Sequence, residues 1–156
     1  MLPYCIYEEL HTSLDWNCQF LHQEAKCKLR MARRSEKDKS EILELAFRNI
    51  TRALELAEEQ NWTNIEITKA HMNVTKALIL TNYVFAGNND RINDVINVYY
   101  DIFITNKNLC PELEKDEMKD VKTFLGNVWE SSYSINKDVQ KKFEEIYTSV
   151  GVEYKV

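Results

Sequence analysis

Three glycines and two prolines are spread over 156 residues, at Pro3, Gly87, Pro111, Gly126 and Gly151. Gly and Pro interrupt helices and build tight turns, so a chain this poor in them has few ways to reverse direction often. Between them apolar residues recur every three or four positions, the repeat of one helix face. The expected fold class is therefore all-α: an antiparallel helical bundle of four to five long helices plus a short C-terminal helix, in a single domain over 1–156.

The spacing predicts a first helix over residues 5–34, with the stripe Tyr7, Leu10, Leu14, Cys18, Leu21, Ala25, Leu29 and Ala32. Ser35-Glu36-Lys37-Asp38-Lys39 reads as a turn, with Ser35 or Ser40 as cap. A second helix over 40–60 carries Leu43, Ala46, Phe47, Ile50, Ala53, Leu54 and Ala57. Ile42, Leu45 and Leu56 widen its apolar arc beyond one seam, which implies neighbours on two sides or an exposed apolar strip. The third, 64–85, shows Ile67, Ala70, Val74, Ala77, Thr81 and Val84 on one face and ends at Gly87-Asn88-Asn89. A fourth follows over 90–107 and a fifth over 111–133, with Pro111 at its first position, and residues 136–150 form the last.

Composition removes several function classes. A net charge of −5 argues against a dedicated nucleic-acid binder. The basic run from Lys26 to Arg34 lies toward the end of the first helix, where cations complement the helix dipole. No segment is long and apolar enough to span a membrane. The opening Met1-Leu2-Pro3-Tyr4-Cys5 has no signal-peptide character, and Cys5, Cys18, Cys27 and Cys110 read as reduced thiols, so a cytoplasmic location is expected. The triplets Asn49-Ile50-Thr51, Asn61-Trp62-Thr63 and Asn73-Val74-Thr75 carry little weight without a signal.

His11, His22 and His71 lack partners at metal-ligand spacing, and His71 reads as a surface or partly buried imidazole. Phosphate-binding glycine loops and nucleophile motifs are absent from the sequence, so neither an enzyme nor a cofactor is expected. A helical protein without such chemistry works by presenting a surface to a partner.

Four stretches carry a more specific signal. Ile42-Leu43-Glu44-Leu45-Ala46-Phe47-Arg48-Asn49-Ile50-Thr51-Arg52-Ala53 resembles the first core helix of the flagellin-specific export chaperones, the FliS family. Lys69-Ala70-His71-Met72-Asn73-Val74-Thr75-Lys76-Ala77 is similar to that family's second-helix stretch, and Val98-Tyr99-Tyr100-Asp101-Ile102-Phe103 to its third-helix motif. Val121 through Phe124-Leu125 to Trp129 resembles its closing helix, with Trp129 as a core anchor. The likeness covers roughly residues 40–130, a chaperone-like core, and leaves 1–39 as an N-terminal extension helix and 136–150 as an added C-terminal helix.

The resemblance implies a cytoplasmic export chaperone that holds the C-terminal segment of flagellin and prevents premature filament assembly. A helical adaptor or co-chaperone of the same architecture, with a different protein partner, is the alternative, and a homodimer is compatible with either. Apolar residues in excess of core needs are the candidate contacts: Ile42, Leu45, Leu56, Leu78, Val98 and Tyr100. By analogy with the family's N-terminal arm, Tyr4 and Tyr7 are candidates to occupy the client groove.

Overall fold

A computed structural model describes residues 14–59, 65–130 and 135–150. These residues form six α-helices and no strand, as the helical repeat requires. They are α1 (Leu14–Arg34), α2 (Lys39–Glu58), α3 (Ile65–Phe85), α4 (Ile92–Tyr100), α5 (Lys115–Trp129) and α6 (Lys137–Val150). The predicted residues 5–13 of the first helix lie outside the described residues.

Contacts divide the chain into two compact units, 1–76 and 77–156, with the boundary inside α3 rather than near residues 39 and 130. In the first unit α1 and α2 form an antiparallel hairpin. The turn between them is anchored by Ser35, whose Oγ accepts the Asp38 N–H at 3.3 Å. Asp38, not Ser35 or Ser40, holds the N-cap position of α2. Glu24 Oε2 accepts a hydrogen bond from Asn49 Nδ2 at 3.3 Å and sets the register. Cys18, Ala25, Leu29 and Ala32 of α1 are buried, as are Leu43, Ala46, Ile50, Ala53 and Ala57 of α2. The predicted stripes are thus the packed faces, and α1 is an integral half of this unit rather than an extension ahead of a core.

The other side of α2 meets the start of α3, where Lys69 Nζ lies 3.2 Å from Glu58 and 3.5 Å from Glu66. Ile67, expected on the buried face of α3, is instead 45% exposed. From Met72 to Val84 the helix is buried nearly all round, including Leu78, Ile79 and Leu80. The single-face reading of α3 was therefore too narrow for these residues.

In the second unit Gly87, at φ +105°, ends α3. Gly87 N–H donates to the Val84 carbonyl and Asn88 N–H to that of Tyr83, a paired closure that needs the left-handed backbone glycine adopts freely. α4 continues into a wide π turn, Asp101–Thr105, and a 3-10 turn, Lys107–Leu109. Pro111 does not start the next helix. Glu114 is the N-cap of α5, and its N–H donates to the Glu117 carboxylate at 2.9 Å, so the helix begins at Lys115.

α4 packs on α6. Asn93 Oδ1 accepts the Asn136 N–H, and one turn further Asn97 Oδ1 accepts from Lys142 Nζ. Partner numbers rise together, so these two helices run in the same direction, a local departure from an up-down order. Tyr99 fills the centre, edge-on to Phe103 at 5.8 Å and to Phe124 of α5 at 5.4 Å.

Candidate partner-binding surface

The α1–α2 register fixes which residues of the hairpin lie side by side. Two helical turns from the Glu24–Asn49 bond in one direction, Met31 comes alongside Ile42; two turns in the other, Asn17 comes alongside Leu56. At the first end Met31 is 50% exposed, Leu45 is 44% exposed and Ile42 is half-buried. These three make an apolar strip on the outer edge of the seam. At the other end Leu56 is buried. Ile42 and Leu45 therefore belong to an open surface, whereas Leu56 and Leu78 are core residues. Leu56 is buried near the C-terminal end of α2, and Leu78 lies in the stretch of α3 where most residues are buried.

Cations line the α1 side of the strip. Lys28 lies on the α2-facing flank of α1 and is half-buried, while Arg30 and Arg34 are exposed on its outer face. None of these three forms an ion pair with a described residue. The neighbouring carboxylates are otherwise engaged: Glu24 accepts from Asn49, and Glu44 pairs with Arg48 at 3.0 Å.

Beneath the hairpin lies a buried polar contact that the sequence reading missed. His22 is 6% exposed, and its Nε2 is 2.8 Å from Thr75 Oγ1. Thr75 donates its own hydroxyl proton to the His71 carbonyl at 3.3 Å, leaving Oγ1 to accept the Nε2–H of a neutral ring. Burial lowers the pKa of His22 to about 4, and the positive charge of Lys26 and the neighbouring His71 push in the same sense. Its signal in the sequence was position: Cys18, His22, Ala25 and Leu29 continue the stripe in steps of four, three and four. His71 itself is exposed, as expected.

The candidates of the second unit do not form one surface. Val98 and Tyr100 are two positions apart on α4, so they point to opposite flanks with buried Tyr99 between them. Tyr100 lies under Lys142 Nζ at 5.2 Å from the ring centre, and Glu145 raises its phenol pKa, so its flank is already partnered within the unit. Trp129, expected as a core anchor, is 51% exposed and stacks on Tyr147 at 4.9 Å. It stands in the last turn of α5, past the buried Val128. Deeper, Thr81 donates to the Ala77 carbonyl and its oxygen accepts from Tyr99, while Asn82 Nδ2 donates to the Leu78 carbonyl and to Asp120 at 3.0 Å. Burial raises the Tyr99 pKa far above the ordinary tyrosine value.

Tyr4 and Tyr7 lie outside the described residues. Among the described residues no cluster of three or more His, Cys, Asp or Glu is placed to hold a metal ion, and no helix is long and apolar enough to cross a membrane. Asn49 and Asn73 sit inside helices, with Asn49 committed to Glu24, so neither triplet is presented as an open loop. Cys18 is buried, Cys27 exposed and Cys110 half-buried. No family model, curated protein or solved structure matches the chain.

Proposed function

We propose that this protein binds a partner polypeptide through the outer seam of the α1–α2 hairpin and shelters an amphipathic segment of it. The observation that carries this reading is the exposed Met31 and Leu45, beside Ile42, on a rigid pair of helices. Long apolar side chains held in water at one place are the usual mark of a protein-binding site. A shallow seam between two helices accepts a third helix by the same ridge-and-groove packing that joins the first two.

The motif resemblance names the client to try first. On that reading the protein is a cytoplasmic export chaperone and the segment is the C-terminal helix of flagellin. Isothermal titration of the full chain with a C-terminal flagellin fragment from the same genome tests it. The expected result is a 1:1 complex, a gain of helical signal in the fragment, and loss of binding in Leu45→Asp. Absence of heat with the fragment removes the flagellin reading.

One observation favours the adaptor alternative. α1 is packed along α2 over the hairpin, so it is a permanent member of its unit rather than an arm that leaves a groove when a client arrives. An adaptor would keep that helix pair closed on binding. Hydrogen exchange of α1 amides, unchanged or slowed in the complex for an adaptor and accelerated for a displaced arm, separates the two.

A further inference from the structure

We propose that the basic end of this seam selects the partner's charge. The surface takes an acidic amphipathic helix, whose apolar side lies along Met31, Ile42 and Leu45 and whose flanking carboxylates meet Lys28, Arg30 and Arg34. The inference rests on the partner-binding reading above and gives that site its chemical specificity.

The charge distribution motivates it. The stretch Lys26–Lys39 carries seven Lys and Arg against Glu36 and Asp38, a net +5 within a chain whose total is −5. The helix dipole accounts for the cations of the last turn, Arg33 and Arg34. It does not account for Lys28 and Arg30, which lie before that turn, where the dipole effect has faded. Nor do Lys28, Arg30 and Arg34 form ion pairs with a described residue, and Glu24 and Glu44 are bonded elsewhere. Glu41, exposed about one turn before Leu45, marks where the basic surface ends.

The geometry favours a helix over the other polyanions. Arg30 and Arg34 are one turn apart on the outer face of α1, and Met31 is the adjacent position toward α2. A docked helix with apolar residues every three or four positions places its flanking Glu or Asp side chains over that row. A single-stranded nucleic acid would stack its bases on aromatic side chains, whereas the strip offers Met, Ile and Leu, and a chain of net charge −5 does not suit a duplex. A membrane surface would suit apolar side chains on a convex face, whereas these line the join of two helices. Apolar contact alone is blind to charge, so the cations supply the discrimination and the faster encounter.

The test uses the full chain and two fluorescein-labelled 20-residue helical peptides with identical leucine positions. One carries Glu on its flanks and the other Lys. Anisotropy is read at low and at moderate NaCl. The expected result is that the Glu peptide binds at least about tenfold tighter than its Lys twin and loses about fivefold or more in the higher salt. Arg30→Glu with Arg34→Glu should weaken the Glu peptide by about tenfold or more, and Leu45→Ser should weaken both, with circular dichroism unchanged. Equal binding of the two peptides, or indifference to the arginine reversal, overturns the proposal. So does failure of the Glu peptide while phosphatidylserine vesicles are bound through Arg30 and Arg34, which would assign the patch to membranes. Flagellin binding that survives the arginine reversal leaves the function standing and removes this inference. Glu-peptide binding without flagellin binding removes the flagellin reading and leaves the seam and this inference standing.

Discussion

Between α1 and α2 the buried faces are built largely from small residues: Cys18, Ala25 and Ala32 against Ala46, Ala53 and Ala57, with Leu29, Leu43 and Ile50 among them. Around Tyr99 in the second unit they are built from rings, with Phe103, Phe124 and Phe143 all buried. Small side chains let two helix backbones approach closely, which limits how many longer ones fit between them. Met31 and Leu45 accordingly lie at the margin, in water. The ring-filled unit does the opposite and uses its large apolar groups as filling. Where a helix pair closes on alanine, its long apolar residues are left over for a partner. That is why the candidate surface falls on the first unit, although the second holds more aromatic area.

Emptying the ring cluster challenges this contrast hardest. Phe124→Ala removes a fully buried ring from the edge-on cluster and should cost about 3–5 kcal/mol by chemical denaturation. A cost near zero would mean the rings are not the filling.

The next effect belongs to the first unit and depends on pH. The folded His22 pKa is near 4 against an ordinary 6.5, so between these values the unfolded chain binds the extra proton. The stability that neutral His22 contributes is complete above 6.5 and is lost as pH falls toward 4, to the extent of about 3 kcal/mol. An NMR titration should show the His22 ring still neutral at pH 5.5, while acid denaturation curves steepen below 6.5. A His22 midpoint near 6.5 would mean the ring is not enclosed.

Smaller again, Ala53→Leu should destabilise by about 1–3 kcal/mol through overpacking of the close seam, and neutrality would refute the tight approach of α1 and α2. The smallest pair probes the polar group inside the ring cluster. Thr81→Val leaves the buried Tyr99 hydroxyl without its acceptor and should cost about 1–3 kcal/mol. Tyr99→Phe removes only a donor, because Thr81 still bonds the Ala77 carbonyl, and should cost about 1 kcal/mol. Equal losses would mean that the hydrogen bond runs the other way.

The helices were legible because their stripes have a three- and four-residue step, and Gly87 was legible as a stop because its backbone is left-handed. Pro111 misled because a proline suits a first helical turn as well as an extended lead-in. Glu114 and Glu117 made the real start. The π turn at Asp101–Thr105 left no trace, since Ile102 and Phe103 fit a regular helix equally well. Ile42 and Leu45 could be recognised as surplus from the width of the apolar arc. Leu56, equally surplus by that measure, could not be told apart from them, because the width of an apolar arc does not say which part of it a neighbouring element covers. Met31 was hidden in a basic run and gave no periodic signal at all.

Cys27 sits exposed on the outward side of α1, one turn before Met31, while Cys18 of the same helix is enclosed. The molecule thus carries a natural attachment point for an environment-sensitive dye at the edge of the seam. With Cys5 and Cys110 replaced by serine, such a label would brighten or quench as an occupant arrives, without any residue being added to the hairpin.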